Sequence, residues 1–389
     1  MIPFTPSTAC RICGSTELTK VLDLGQQPLA NSFLSSPEQD EAVYPLELML
    51  CAACIHLQLS IVVDRQEIFS DYIYSSRAAT LGEHWRKYAD DVMRRLPTGR
   101  MVSIVEIGSN DGLLLEYFSC RNHTVLGIDP AENIPASVPT QRALWSLQVA
   151  REIETRDGRA DAILANNVFA HIEDLNDAVA GMSLLLTDDG IAVIELPWAE
   201  DLWERGWYDS VYHEHLSLFG TTALSTLFER HGLFISEVQL HDVQGTSLRA
   251  FAGRERTDKH DYYKNIDVER RRTHPLQYKQ VTRRVEDQRN RLRRRLDRLK
   301  GEGKRIVGYG APAKGNTMLN YTGAGEFMEC LIDDMPSKQG KYAPGSKLPV
   351  RKREEIEADV FVLMAWNVME AIQEKEKEWV GEWVHPFFA

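Results

Sequence analysis

Val102-Ser103-Ile104-Val105-Glu106-Ile107-Gly108-Ser109-Asn110-Asp111-Gly112 is followed at once by Leu113-Leu114-Leu115-Glu116-Tyr117-Phe118. An apolar run with β-branched members breaks at a Gly-x-x-x-Gly turn and resumes with helical spacing. That is the pattern of a buried parallel strand feeding a helix through a tight loop. Glycines in such a loop let a ligand approach the backbone, and the helix start offers free N–H groups. A second strand, Thr124-Val125-Leu126-Gly127-Ile128, ends in Asp129, seventeen residues beyond Gly112 and where an acid usually holds a ribose diol. Glu106 lies inside the first strand, and the loop is Gly-Ser-Asn-Asp-Gly rather than Gly-x-Gly-x-x-Gly. Both features turn the reading from a dinucleotide towards S-adenosylmethionine (SAM), with a generic Rossmann-type nucleotide site as the alternative.

The chain has 389 residues, 43% of them hydrophobic and 26% charged, which suits two or three soluble globular domains. No stretch approaches the roughly 20 apolar residues of a membrane span. The first residues lack a basic end followed by an apolar core, so a cytoplasmic location and no membrane partner are expected. A net charge of -12 disfavours a nucleic-acid surface for the chain as a whole. Four of the six cysteines form two pairs, Cys10-Arg11-Ile12-Cys13 and Cys51-Ala52-Ala53-Cys54, with 37 residues between them. Each pair can wrap one edge of a tetrahedral ion, so four thiolates close a structural zinc site with no place for water. A nucleic-acid-reading zinc ribbon is the rival, but the intervening Val21 to Asn31 carries few cations, which favours a scaffold.

Beyond this module, Tyr72 and Tyr74 stand two apart in an extended segment and are either substrate-facing hydroxyls or core rings. A helix is predicted over 81–96. The strand Ala160 to Ala165 carries Asn166-Asn167-Val168-Phe169-Ala170-His171 at its C-terminal end, the end that faces the ligand crevice of an open parallel sheet. The strand Gly190 to Pro197 delivers Glu195, and 233–238 and 247–251 complete a doubly wound sheet. Tyr212-His213-Glu214-His215 places imidazoles two apart, unlike the helical spacing of a zinc protease. Tyr, Glu and His this close suit proton transfer: a neutral imidazole accepts a proton while a phenol or carboxyl orients it or supports an oxyanion. Residues 260–303 read as a long amphipathic helix with Val281, Val285, Leu292, Leu296 and Leu299 on its apolar face. Its arginines suit a solvated face, with a pyrophosphate or nucleic acid as alternatives. A second Rossmann-like unit opens with Arg305-Ile306-Val307-Gly308-Tyr309-Gly310, and its glycines and Lys314 at a helix start suit a diphosphate. Asp333 or Asp334 stands where a ribose or base contact is made.

Paired Cys-x2-Cys knuckles, Ile107 to Gly112, Asn167 to His171, Tyr212 to His215 and Lys304-Arg305-Ile306-Val307-Gly308-Tyr309-Gly310-Ala311-Pro312-Ala313-Lys314-Gly315-Asn316-Thr317 occur in one order. In this the chain resembles, over nearly its whole length, the zinc-containing nucleotide-sugar C-methyltransferases of branched deoxysugar biosynthesis. The resemblance implies an α/β chain of four parts: a zinc module (1–75), a Rossmann-like SAM methyltransferase domain (76–255), a helical linker (256–303) and a second Rossmann-like domain (304–389). It implies that His215 removes the C3 proton of an NDP-linked 4-keto-6-deoxy sugar, with Tyr212, Glu214, His171 and Tyr72 or Tyr74 lining the sugar pocket. SAM would be held by Glu106, Gly108, Asn110, Asp111, Gly112, Asp129, Asn166 and Asn167, and zinc by Cys10, Cys13, Cys51 and Cys54. The nucleotide-sugar would meet Tyr309, Ala311, Lys314, Asn316, Thr317, Asp333, Lys338 and Tyr342. Gly245-Thr246-Ser247-Leu248-Arg249 replaces the Gly-Gly-Ser-Leu-Arg of many relatives. An O- or N-methyltransferase, an NAD(H) enzyme with a vestigial SAM fold, and a zinc-ribbon binding module are the other readings.

Overall fold

A computed structural model describes residues 4–64, 82–243, 245–256 and 275–388, so Tyr72 and Tyr74 lie outside the described residues. The N-terminal module is built on β1 (Phe4–Pro6), β2 (Leu18–Pro28), β3 (Val43–Cys51), β4 (Leu57–Leu59) and β5 (Ile61–Val63). The long hairpin β2–β3 alternates buried and outward residues, with Leu46, Leu48 and Leu50 turned inward. β4 continues this sheet antiparallel to β3, and β1 pairs with β5. Both cysteine pairs gather at the end of the hairpin where Leu18 pairs with Cys51.

The central unit contributes α1 (Gly82–Met93), β6 (Ser103–Ile107), α2 (Leu113–Ser119), β7 (Thr124–Ile128), β8 (Thr140–Gln141), α3 (Leu147–Asp157), β9 (Ala160–Asn166), α4 (Leu175–Leu185), β10 (Leu186–Pro197), α5 (Glu200–Arg205), β11 (Ser217–Leu218), α6 (Thr221–Glu229), β12 (Phe234–His241) and β13 (Ser247–Gly253). Its seven strands run in the order β12-β13-β10-β9-β6-β7-β8. Strands β8 to β10 across the sheet are parallel, and β13 closes it antiparallel to both β10 and β12. Trp85, Tyr88, Leu115 and Phe118 cover one face, while Val149, Ile153, Val179, Met182 and Leu227 cover the other. The order reverses between β6 and β9, so the crevice opens over the carboxyl ends of those strands. One strand leaves this unit: β11 pairs with β4 and extends the N-terminal sheet.

The C-terminal unit follows α7 (Pro275–Gly301) with β14 (Ile306–Tyr309), α8 (Ala313–Thr322), β15 (Leu331–Ile332), β16 (Val350–Arg351), β17 (Val360–Leu363), α9 (Met369–Lys375) and β18 (Glu382–Val384). Its sheet is wholly parallel in the order β16-β15-β14-β17-β18, again reversing at its first strand. In α7 the apolar Val281, Val285, Leu292, Leu296 and Leu299 are all buried. Several polar residues of this helix are domain ties rather than a solvated face. Thr282 donates to the Val21 carbonyl (3.0 Å), Gln288 to that of Arg205 (2.6 Å) and Arg293 to that of Thr322 (2.7 Å), while Arg284 reaches the Trp203 carbonyl. Among the described residues no helix is long and apolar enough to cross a membrane.

Candidate active site and zinc centre

Between α5 and β11 the chain makes a buried loop that carries Tyr212, His213, Glu214 and His215, all of them less than one-tenth exposed. His215 Nδ1 lies 2.8 Å from the Ser210 carbonyl and Nε2 lies 2.6 Å from the Tyr212 hydroxyl. A carbonyl only accepts, so Nδ1 carries the proton, and Nε2 presents its lone pair to the tyrosine O–H. Burial, the His171 ring 4.9 Å away and the Lys314 ammonium all hold this imidazole well below its ordinary range. It is therefore neutral at pH 7 and aimed as a proton acceptor. Glu214 turns elsewhere. Its Oε1 accepts from the Asn31 amide at 2.7 Å, and burial pushes its carboxyl up to about 7 against the pull of that amide. His213 packs on Tyr44 and meets the Pro45 carbonyl at 3.3 Å, and burial lowers its imidazole to about 4.

The N-terminal module is more than a distant scaffold, because it grips this loop along its length. Asn31 holds Glu214. Arg11, inside the first cysteine pair, donates from Nη1 to the Leu216 carbonyl (2.8 Å), and the Leu59 N–H donates to the same carbonyl (3.0 Å). His56 meets the Ser217 hydroxyl at 3.1 Å. In the first cysteine knuckle, the Arg11 and Ile12 carbonyls also accept from Asn176 at 2.8 and 3.1 Å. Cys10 and Cys54 Sγ are 3.5 Å apart, Cys13 and Cys51 Sγ are 3.6 Å apart, and all four fall within 4.8 Å of one another. Tetrahedral zinc with Zn–S near 2.3 Å places its sulfurs about 3.8 Å apart, so four converging thiols fit the ion.

At the SAM loop, both carboxylate oxygens of Asp129 accept backbone N–H groups, from Asn110 at 2.8 Å and Ala131 at 2.9 Å. Asp129 thus shapes the turn from below. Gly112 adopts φ +83°, and a Cβ there would stand 2.8 Å from Val138 and 3.0 Å from Ser137, which accounts for glycine at this place. Glu106 is buried, accepts from Asn166 at 3.2 Å on Oε1, and leaves Oε2 without a partner among the described residues. Its carboxyl is pushed up to about 8, chiefly by burial. A buried carboxyl with an open oxygen fits a cationic ligand such as SAM. Gly108 and Asn167 close the loop on its β9 side, where a Cβ on Gly108 would press on Val168. Glu195, at the end of β10, is not open to a ligand: His84 holds its Oε1 and Arg249 its Oε2, each at 2.6 Å. Burial raises its carboxyl, but these two partners outweigh that, and the net shift is downward. Sequence reading gave His84 no role, because its link to Glu195 depends on where α1 docks.

The residues expected in the second domain divide into two groups. Lys314, in the first turn of α8, faces the loop before β11, with Nζ 5.9 Å from the Trp366 ring. It lines a cleft with Trp198, Asp201, Trp207, Ser210 and Thr246. The Trp366 indole donates to buried Asp209 at 2.6 Å, docking the C-terminal unit on this loop. Most of the others are engaged by the chain itself. Asn316 donates to the Ala30 carbonyl (2.8 Å) and Tyr342 pairs with Leu34 in a two-bond bridge, whereas Thr317 is buried with its hydroxyl unpartnered among the described residues. Asp333 accepts from the Ala311 N–H at 2.8 Å and meets Lys338 at 3.4 Å, and Lys338 also donates to the Ala311 carbonyl (3.0 Å). Tyr309 donates to Glu376 at 2.8 Å. Asp334 pairs with Lys375 on the surface.

Residues 10–69 match the family described as a putative zinc binding domain, 81–238 a methyltransferase domain and 242–387 a C-methyltransferase C-terminal domain. The chain is 33% identical over 393 aligned residues to the C-methyltransferase NovU of Streptomyces niveus, across 96% of this chain and 93% of that protein. Among solved structures, the plantazolicin methyltransferase BpumL in complex with SAH and a pentazolic desmethylPZN analog aligns at 16% identity. That alignment covers 50% of this chain and 91% of the other, with a TM-score of 0.36. A SAM-dependent methyltransferase from Archaeoglobus fulgidus aligns at 12% identity over 44% of this chain and 93% of the other, with the same TM-score of 0.36. With four converging thiols, a methyltransferase sheet and a parallel C-terminal unit matched in sequence from end to end, the chain belongs to the zinc-containing, SAM-dependent C-methyltransferases.

Proposed function

We propose that this C-methyltransferase acts on C3 of an NDP-linked 4-keto-6-deoxy-hexose through an enolate, with His215 as the base. The observation that carries the reading is the fixed tautomer of His215: Nδ1–H is spent on the Ser210 carbonyl, which leaves Nε2 as the acceptor, here taking the Tyr212 O–H. A carbon acid beside a ketone needs such a base; a hydroxyl nucleophile can use one too, but methyl transfer to oxygen leaves every substrate C–H in place, and that separates the two readings. Nε2 takes the C3 proton, and the C–H electron pair moves into the enolate with charge on the C4 oxygen. SAM, when bound, supplies an electrophilic methyl whose bond to sulfur breaks as the bond to C3 forms. Glu106, Gly108, Asn110, Asp111, Gly112, Asp129, Asn166 and Asn167 are the residues that would hold it. Tyr212 has two jobs in sequence. Without substrate its O–H donates to Nε2; when the sugar enters, that bond gives way, which opens the Nε2 lone pair to the C3 proton and turns the hydroxyl proton to the C4 oxygen, where it stabilises the oxyanion. His171, whose ring packs on His215, and Glu214, one residue before it, would line the sugar pocket.

The nucleotide half of the substrate is supported by Lys314. A cation in the first turn of α8, close enough to Asp209 and His215 to bias both, suits a diphosphate reaching from the sugar pocket to the C-terminal unit. Tyr309, Ala311, Asn316, Thr317, Asp333, Lys338 and Tyr342 then form the wall behind that helix start.

Proton NMR of such a nucleotide-sugar in D2O tests the reading. The C3 proton signal should vanish with protein alone, and a methyl singlet on a quaternary carbon should follow when SAM is added. A C3 proton that persists through methylation at another carbon would remove the C3 enolate from consideration.

A further inference from the structure

Asn31 belongs to the loop that closes the β2–β3 hairpin, 183 residues away from the carboxyl it touches. Its neighbours show that this is a built contact. Ala30 supplies the carbonyl that accepts from buried Asn316, and Leu34 exchanges two backbone hydrogen bonds with Tyr342. The loop is thus pinned to the C-terminal unit on both sides of Asn31, which leaves the amide aimed at Glu214. Among the described residues Glu214 makes no other side-chain hydrogen bond and no cation compensates its charge.

We propose that Asn31 is a positioning residue of the methyl-transfer site: its amide donates to Glu214 Oε1 and fixes the rotamer and protonation of that carboxyl at the sugar pocket. The proposal rests on the reading above for Glu214's place in that pocket. A buried carboxyl with one neutral donor depends heavily on that donor, because removing it leaves the charged form with no stabilising partner. The other titratable groups near Glu214 leave this dependence intact. His171 bonds the Glu214 carbonyl, not its carboxyl, and burial holds its ring at about 4. His213 is turned to Pro45 and His215 to Ser210 and Tyr212, while Lys314 approaches from α8 on the His215 side. Residues 29–34 bring no titratable group.

The test uses the full zinc-loaded chain labelled with [δ-13C]glutamate, the Glu214 signal being assigned by its loss in Glu214→Gln. In the parent protein that carboxyl should titrate near 7. In Asn31→Ala, and further in the isosteric Asn31→Asp, its midpoint should move to higher pH. The kcat for methyl transfer at pH 7 should fall by about 10-fold or more, and the limb of the pH profile governed by Glu214 should move with the carboxyl. KM for SAM and zinc content should hold. A Glu214 titration identical in parent and variants overturns the contact's role, and a shifted titration with unchanged kcat overturns its relevance to catalysis. If the parent itself leaves the nucleotide-sugar untouched, the sugar reading fails, while the carboxyl titration still decides whether Asn31 sets Glu214.

Discussion

His215→Ala is expected to lower kcat for methyl transfer by about 10²–10⁴-fold, the range that a positioned general base contributes, with SAM affinity and zinc content kept. The side chain is buried and bonds a backbone carbonyl and a tyrosine hydroxyl, so its removal leaves the Ser210 carbonyl and the Tyr212 ring in place. The C3 proton signal in D2O should then persist, and methylation should fail with it. A variant that loses methylation but still exchanges the C3 proton would transfer the base to another group. The pH dependence carries a definite sign. The ring is held neutral well below the ordinary imidazole range, so the acid limb that belongs to His215 lies below about 6.5, and a limb near 7 belongs to Glu214. The same burial makes the fold acid-sensitive. His171 and His213 titrate at about 4 when folded and near 6.5 when unfolded, so between these values the unfolded chain binds more protons. Their contribution is complete above about 6.5 and is lost as pH falls towards 4. Glu106 and Glu214, raised to about 8 and about 7, act in the opposite sense, but His56 at about 3 and His385 at about 4 add to the histidine side. Melting temperatures should therefore decline on acidification from pH 7.5 to 5, and a rise over this range would mean that the buried carboxyls outweigh the buried rings.

Stripping zinc, or Cys51→Ser, is expected to abolish methyl transfer to a degree comparable with loss of the base, while the central domain still binds SAM. The reason is mechanical. Cys10, Cys51 and Cys54 are buried in the same core as Phe169 and Phe219, and Arg11 holds the Leu216 carbonyl next to His215. Structural zinc contributes on the order of 10 kcal/mol to small zinc folds, and without it the cysteine pairs no longer present Arg11 or anchor β4 under β11. A displacement of about 1 Å at the reacting groups costs about 100-fold in rate. Activity and SAM binding measured side by side on chelated protein separate the two domains. Full turnover without zinc would show that the hairpin holds itself, and joint loss of SAM binding would show that zinc supports the whole chain.

The parts of this site that were legible in the sequence are those with local signatures. Doubled Cys-x2-Cys spacing, a strand-glycine-helix loop and His-Glu-His each identify themselves within a few residues. What stayed hidden depends on tertiary approach. Asn31 is an ordinary loop polar residue until the hairpin is laid against Glu214. Ser210 acts through its carbonyl, which no side chain announces. Glu195 reads as a carboxylate offered to a ligand because its neutralisation by Arg249 follows from antiparallel register, and by His84 from the docking of α1. In the second domain the glycine turn was visible, but Asp333 and Lys338 satisfy each other, a pairing that spacing alone does not distinguish from a ligand site.

The bond between Asn316 and Ala30 joins residues 286 positions apart, and Leu34 meets Tyr342 across a similar distance. A ribosome releases the central domain long before it makes α8, and domains generally fold as units in the order of synthesis. The cleft that Lys314 and Trp366 form with Ser210 and Trp207 is therefore closed last, when the tail of the chain docks against its head. A nascent or truncated chain carries the SAM fold and the imidazole but lacks the far wall of the cleft, so competence arrives only with a finished molecule.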